Sequence, residues 1–476
     1  MKTKISPFQR HSAGRFSPVW PVLLSLVLAT SCGGGSSSSN TVPPPAACGA
    51  GANSAQRPAS ARQRSVAPAT PGGIPAQYFG LNLHPGVFIG KIPWPTFPFG
   101  SVRLWDTETT WNDMNPSSGI YDFTTLDNTI NVAMQNGKTD FLYTFGVVPP
   151  WASSNPNDQS CVTPQNPAGS CDPPADLCAD GTGADKHWQN FVSALVAHNA
   201  SANFPIHTWE IWNEPDILLE WTGTDDQLER MAQDAYTIIK AADPTAEVTT
   251  PTPGNTSNGQ TIANWFPEYL ATPGADTLAD IVTFHGYVDP SLGGAPEQIS
   301  DTVDIVNSAT SGLGSLSSDP LWNTEGSWGT DTKLPDPDLE AAYLARLYLI
   351  QWSLGVSRFY WYQYGNTDTG TLWTPTGGLD TAGIAYGYVY NWMVGATLTN
   401  PCSSIGTVWT CNFTNGTIQE QAVWDASQTC SNGVCTTSSY TPNSVYTEYA
   451  DLAGNTTRIT GGAVLIGAKP ILLKNQ

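Results

Sequence analysis

Charge is scarce in this chain. Only 12 % of its 476 residues are charged, and 19 basic residues face 40 acidic ones, for a net charge of −21. So few Lys and Arg leave little to hold nucleic acid or phosphate, which the negative field would repel. Nucleotide-binding signatures are missing as well. No Gly-x-Gly-x-x-Gly follows the first predicted strand and no Gly-x-x-x-x-Gly-Lys-Ser/Thr loop occurs, so an open doubly wound sheet lacks support. The apolar run Pro18–Leu28 is too short to span a bilayer. The spacing of Cys161, Cys171 and Cys178 is not that of a zinc knuckle, and no metal or cofactor is expected. What the chain does have is aromatic rings: 18 Trp, 17 Tyr and 15 Phe. Most of them belong to the core. The remainder, with scattered Asn and Gln, suit an uncharged, hydroxyl-rich ligand.

The N-terminus reads as a processing segment. Lys2, Lys4, Arg10 and Arg15 precede the apolar run, which ends Leu28-Ala29-Thr30-Ser31-Cys32 before a Gly/Ser stretch. Residues 1–32 resemble a bacterial lipoprotein signal, with Cys32 as the lipidated residue and Ala29 where Leu is commoner. Simple cleavage near Ala29–Ser31 is the alternative. Either way export is expected, to the bacterial cell envelope or the medium. A membrane contact would run only through that lipid, and the protein is expected to be a monomer. Residues 33–76, rich in Gly, Ser, Pro and Ala, form a tether. Setting Cys32 aside leaves eight cysteines, as an oxidising compartment favours. Cys402/Cys411 and Cys430/Cys435 can close small loops, while the pairing among Cys48, Cys161, Cys171 and Cys178 stays open.

From residue 77 to 400 short apolar strands alternate with helical stretches, the pattern of βα units around a parallel sheet. Eight strands are predicted: Tyr78–Asn82, Val102–Trp105, Phe141–Phe145, Thr208–Trp212, Glu247–Thr250, Ile281–His285, Leu321–Thr324 and Phe359–Tyr362. Predicted helices include Leu126–Gln135, His187–Ala197, Gln227–Ala241 capped by Thr224 or Asp225, Ile262–Leu270, Leu339–Leu354 and Ala385–Val394. This is the α/β class, a (β/α)8 TIM barrel. Residues 401–476 change to short alternating runs between Asn-Gly and Gly-Gly turns, a small β-sandwich expected to pack on the barrel.

Two strand ends carry the chemistry. Trp209-Glu210-Ile211-Trp212-Asn213-Glu214-Pro215 closes the fourth predicted strand, and Trp322-Asn323-Thr324-Glu325-Gly326 the seventh. Two carboxylates at one barrel mouth are the minimum equipment for breaking a glycosidic bond: one protonates the leaving oxygen, the other meets the developing oxocarbenium ion. Glu214 is placed as the acid and Glu325 as the nucleophile. Asn213 is within reach of the sugar 2-hydroxyl. Glu210, on the same face as Glu214, reads as a buried structural partner, and Glu108 as either a substrate or a solvent contact. Asp172, Asp176, Asp180 and Asp185 lack the spacing of a calcium loop and read as solvated.

These motifs resemble clan A of the retaining glycoside hydrolases, whose acid/base follows strand four and nucleophile strand seven. Within the clan the chain is most similar to family 39 and its neighbours, on the Trp209–Pro215 motif, on Phe145-Gly146-Val147-Val148-Pro149-Pro150-Trp151 and on the C-terminal β domain. The continuation Gly326-Ser327-Trp328 departs from the xylosidases of that family. The resemblance implies further roles. Arg103 would keep the nucleophile ionised, His285 and Tyr287 would touch substrate and nucleophile, and Trp361 would be the platform under the sugar. It implies a retaining glycosidase acting on the β-linkages of a polysaccharide or its fragments, without a cofactor. A catalytically inert carbohydrate-binding lipoprotein on the same scaffold is the competing reading.

Overall fold

In the computed structural model, residues 73–254 and 259–475 are described. The signal segment with Cys32, the tether up to residue 72 and Cys48 lie outside them. The eight strands are β1 (Phe79–Leu83), β2 (Ser101–Leu104), β3 (Phe141–Thr144), β4 (Ile206–Glu210), β5 (Glu247–Val248), β6 (Val282–His285), β7 (Leu321–Gly326) and β8 (Val356–Tyr364). They run parallel in the order β5-β4-β3-β2-β1-β8-β7-β6. The ring closes between β5 and β6: Thr250 N donates to Ile281 O at 2.9 Å, and Asp280 N to Val248 O at 2.7 Å. Alternate residues point inward. Leu142, Ile281, Trp322 and Tyr360 meet there as an apolar floor. Gly80 belongs to the same layer, where a Cβ would come within 2.4 Å of the Tyr360 ring.

The helices are α1 (Trp111–Met114), α2 (Thr124–Gln135), α3 (Lys186–Ala202), α4 (Asp225–Ala242), α5 (Gln260–Leu270), α6 (Ile299–Thr310), α7 (Pro337–Ser353) and α8 (Thr381–Met393). Thr224 is the cap of α4, in a reciprocal box. Its hydroxyl accepts from Gln227 N at 3.2 Å, and Gln227 Oε1 accepts from Thr224 N at 3.0 Å. Helix α7 is buried nearly all round rather than along one stripe. The strand Thr397–Ile405 crosses its outer side, where Cys402 N donates to Ser353 Oγ at 2.7 Å.

That strand opens the small C-terminal β-sandwich. Its six antiparallel strands follow the order Thr397–Ile405, Val408–Asn415, Ile418–Asp425, Ile471–Lys474, Glu448–Ala450, Thr456–Arg458, and Ser438–Tyr440 pairs separately with Val464–Ile466. Strand alternation divides its faces. Phe413, Ala422, Trp424 and Leu472 join the barrel core, whereas Val423, Ile471 and Leu473 pack with Val464 and Ile466. A polar latch reinforces the first face: Trp424 Nε1 and Arg346 Nε both donate to Glu297 Oε1 at 2.7 Å.

Disulfides Cys161–Cys171, Cys402–Cys411 and Cys430–Cys435 form, and Cys178 is also disulfide-bonded. They are compatible with an exported protein. Among the described residues no helix is long and apolar enough to cross a membrane. The loop acids take up local duties: Asp172 accepts from Thr222 Oγ1 at 2.6 Å, Asp176 from Lys186 N at 2.6 Å and Asp180 from Thr182 Oγ1 at 2.6 Å.

Candidate active site

The barrel mouth is organised around Arg103, fully buried on β2. Its Nε donates to Glu210 Oε2 at 2.6 Å, Nη1 to Glu325 Oε1 at 2.5 Å and to Asn82 Oδ1 at 3.3 Å, and Nη2 to Asn213 Oδ1 at 2.8 Å. One guanidinium thus spans the ends of β1, β2, β4 and β7. Glu210 is saturated: Thr144 Oγ1 and Thr252 Oγ1 also donate to it, at 2.5 and 2.7 Å.

Strand β4 stops at Glu210, two residues earlier than the alternation predicts. Trp212 and Glu214 then take left-handed backbone conformations, φ +65° and +45°. For non-glycine residues such conformations cost about 1–3 kcal/mol each, and surrounding structure must hold them. Trp212 supplies that hold: it is buried against Trp188 and Trp221, and its Nε1 donates to Glu220 O at 3.0 Å. Glu214 N donates to Thr252 O at 2.9 Å. On β7 a register shift against both neighbours, between Asn323 and Gly326, aims Glu325 into the mouth.

Facing oxygens of Glu214 and Glu325 and a ring nitrogen of His285 all lie within 4.8 Å of one another. His285 Nδ1 is 2.7 Å from Glu214 Oε1 and 3.6 Å from Glu325 Oε2. Tyr287 Oη donates to Glu325 Oε2 at 2.8 Å. These groups are capable of holding a cation, but Arg103 already supplies positive charge to Glu325. His285 is pushed below its ordinary pKa by burial, with Arg103 adding to the shift, so it is neutral. Its Nε2 has no hydrogen-bond partner among the described residues. The tautomer protonated on Nδ1 fits, because it leaves a lone pair rather than an N–H unmatched.

Burial drives the carboxyls apart. Glu214 is raised to about 7, by burial first and by the charge of Glu210, against the pull of Arg103. Burial also acts on Glu210, but Arg103 and the two threonine hydroxyls outweigh it and bring it below the usual range. Glu325 departs from expectation. Burial, with Glu214 and Asp106, raises it overall against the pull of Arg103. Arg103 therefore offsets the desolvation of Glu325 without reversing it.

A cleft of about 920 Å³ opens over the pair. Asn213, Glu214 and Glu325 line it, and so do Trp105, Asp106, Glu108, Glu220, Tyr362 and Gln363. Thr163–Asn166, from the long loop after β3, wall one part. Arg103 and His285 are fully buried and stand behind the carboxylates rather than on the cleft surface. Trp361 is not a platform in the cleft. It is fully buried on the outer face of β8, packed on Trp328, Tyr348 and Phe359, with Nε1 donating to Gly370 O at 2.7 Å. Side-chain alternation gives the cleft to its neighbour Tyr362. Asp106 accepts from Gln363 Nε2 at 2.7 Å and from the Tyr362 hydroxyl.

Residues 175–361 match the family model of cellulase, glycosyl hydrolase family 5, a stretch containing both carboxylates. Solved structures share the fold. A family 39 β-xylosidase from Caulobacter crescentus superposes with TM-score 0.58 at 16% identity, covering 86% of this chain and 98% of its own. The chain is a glycoside hydrolase. A glucosidase from Croceicoccus marinus gives TM-score 0.54 at 15% identity, over 85% of this chain and 96% of its own. The catalytic domain of family 30 xylanase C from Talaromyces cellulolyticus gives 0.52 at 15%, over 84% and 98%. No curated protein matches. The family model and these solved structures come from three glycoside hydrolase families, 5, 39 and 30. Sequence reasoning passed over Asp106, Glu220, Tyr362 and Gln363 in the cleft. Asp106 and Gln363 lie just past the predicted ends of strands two and eight, a signal that was there to use.

Proposed function

We propose that this glycoside hydrolase cleaves β-linked polysaccharides or their fragments with net retention, by double displacement. The observation that carries the reading is the approach of Glu214 and Glu325. Retaining pairs stand about 5–5.5 Å apart and inverting pairs about 6.5–9.5 Å, to admit a water. Facing oxygens within 4.8 Å of one another favour the shorter, retaining spacing. Glu325 Oε attacks the anomeric carbon while the proton of Glu214 passes to the departing oxygen. Ionised Glu214 then takes a proton from water, whose oxygen attacks the same carbon and releases Glu325. Asn213 has its Oδ1 engaged by Arg103, which turns Nδ2 to the sugar 2-hydroxyl. The cleft is lined by acids without a lysine or arginine among its lining residues, which favours neutral sugars over uronates. We place the enzyme outside the cytoplasm, either tethered through Cys32 or released.

The test is stereochemical. NMR of the first product from an aryl β-glycoside should show the β-anomer before mutarotation. Glu325→Gly should lose at least about 10⁴-fold in kcat, and azide should restore turnover with inverted configuration. A first product of inverted configuration from the wild type, or near wild-type rates in Glu325→Gly, would refute the assignment.

A further inference from the structure

The β4–α4 loop carries a third carboxyl that the double displacement does not use. Glu220 lies six residues beyond Glu214 and is fixed by its backbone. Its N donates to Ile217 O at 2.8 Å, and its O accepts from Trp212 Nε1 at 3.0 Å. Trp221, almost fully buried, packs on Trp212 with ring centroids 5.1 Å apart. The carboxyl itself is half-buried, lines the cleft beside Glu214 and Glu325, and makes no hydrogen bond with any described residue. A polar group held this firmly and left unmatched at the edge of a cleft is preorganised for a ligand. We propose that Glu220 is a substrate-binding residue on the leaving-group side of the cleft, where its carboxyl hydrogen-bonds a hydroxyl of the departing sugar.

The side follows from its place in the chain, and the assignment rests on Glu214 being the acid. Glu220 shares the β4–α4 loop with Glu214, is tied by its carbonyl to the Trp212 indole two residues before that acid, and lines the same cleft. It therefore stands on the acid's side, towards the oxygen which that acid protonates. Burial, with Glu214, Glu325 and Asp106, raises the Glu220 carboxyl to about 8. Below that pH it is a neutral acid, able both to donate to and to accept from a sugar hydroxyl.

Glu220→Ala and Glu220→Gln test this against two substrates of the same glycone, one with a sugar leaving group and one with a small aryl group. Glu220→Ala should lose roughly tenfold in kcat/KM on the sugar-leaving substrate, and markedly less on the aryl glycoside. Glu220→Gln keeps a donor and an acceptor, so it should recover most of the loss. It should also abolish a rise in KM that the wild type shows above about pH 8. Equal losses on both substrates, or none on either with melting temperature unchanged, would overturn the proposal. If Glu325→Gly kept full turnover, the double-displacement reading would fall instead, so the two failures are distinguishable.

Discussion

The inner layer of the barrel around Glu210 and its rim around Glu214 use the same side chain, four residues apart on one stretch of chain, under opposite terms. Glu210 is surrounded by donors: a guanidinium and two hydroxyls. Glu214 has one neutral imidazole, and a backbone conformation that only its surroundings sustain. The first is held below the usual carboxylate range, the second is raised to about 7, as the proposed acid requires. Burial acts on both, so what separates them is the number of donors. A barrel of this kind can therefore tune one carboxyl as an acid by leaving it poorly solvated just beyond a neighbour that takes the available donors.

The largest effect should come from removing the reactive member. Glu214→Ala should slow natural linkages by about 10²–10⁴-fold, while a glycoside with an activated phenol leaving group still forms the intermediate at nearly the normal rate. The alkaline limb of the kcat/KM profile reports the loss of the Glu214 proton near pH 7 and should vanish in the variant. Azide should give a product of retained configuration. Equal slowing of both substrates with the alkaline limb intact would move the acid role elsewhere, and Glu220 is the nearest candidate.

Removing the structural member should act on stability first. Glu210→Ala leaves Arg103 Nε and the Thr144 hydroxyl unmatched and Thr252 with only Thr283, at a cost of about 3 kcal/mol in denaturant unfolding. Glu210→Gln is the sharper variant for the comparison. The Glu210 charge is one of the causes holding Glu214 up, so neutralising it should lower the Glu214 pKa. The alkaline limb should then move to lower pH. A limb that stayed in place would mean that burial alone sets the acid.

Much of this was legible in the sequence, for physical reasons that also mark where it stopped. The eight strands are short β-branched and aromatic runs whose observed bounds lie within a few residues of the predicted ones, and Thr224 announces α4 by its capping chemistry. Helix α6 was passed over because Ile299, Val303 and Val306 are set among Ser, Asp, Thr and Asn, which dilute the period. Trp361 was read one position out of phase: an aromatic run such as Phe359–Tyr364 does not announce which of its rings faces inward. The β7 register shift that aims Glu325 depends on pairing with β6 and β8, which one strand's sequence does not contain. Glu220 follows Leu218 and Leu219, two exposed apolar residues that look like ordinary loop.

A third acid extends the comparison at the smallest scale. Asp185 precedes α3 in a left-handed conformation, fully buried, and among the described residues neither carboxyl oxygen has a donor. It is Glu210 without the partners. Burial first, then the nearby Asp234 and Asp176, raise it to about 9, against a weaker pull from Arg230. The folded-state pKa thus stands above the unfolded value of about 4. Below about pH 4 both states hold the proton and burial of the charge costs nothing. As pH rises from about 4 towards 9, the unfolded chain gives up its proton while the folded one keeps it, so stability falls. Asp185→Asn cannot ionise in either state and removes that slope. Its melting temperature should match the wild type near pH 4 and exceed it at pH 8, by an amount equivalent to several kcal/mol. Destabilisation of the same size at pH 5 and pH 8 would mean that Asp185 is ionised in the folded protein and held by a cation.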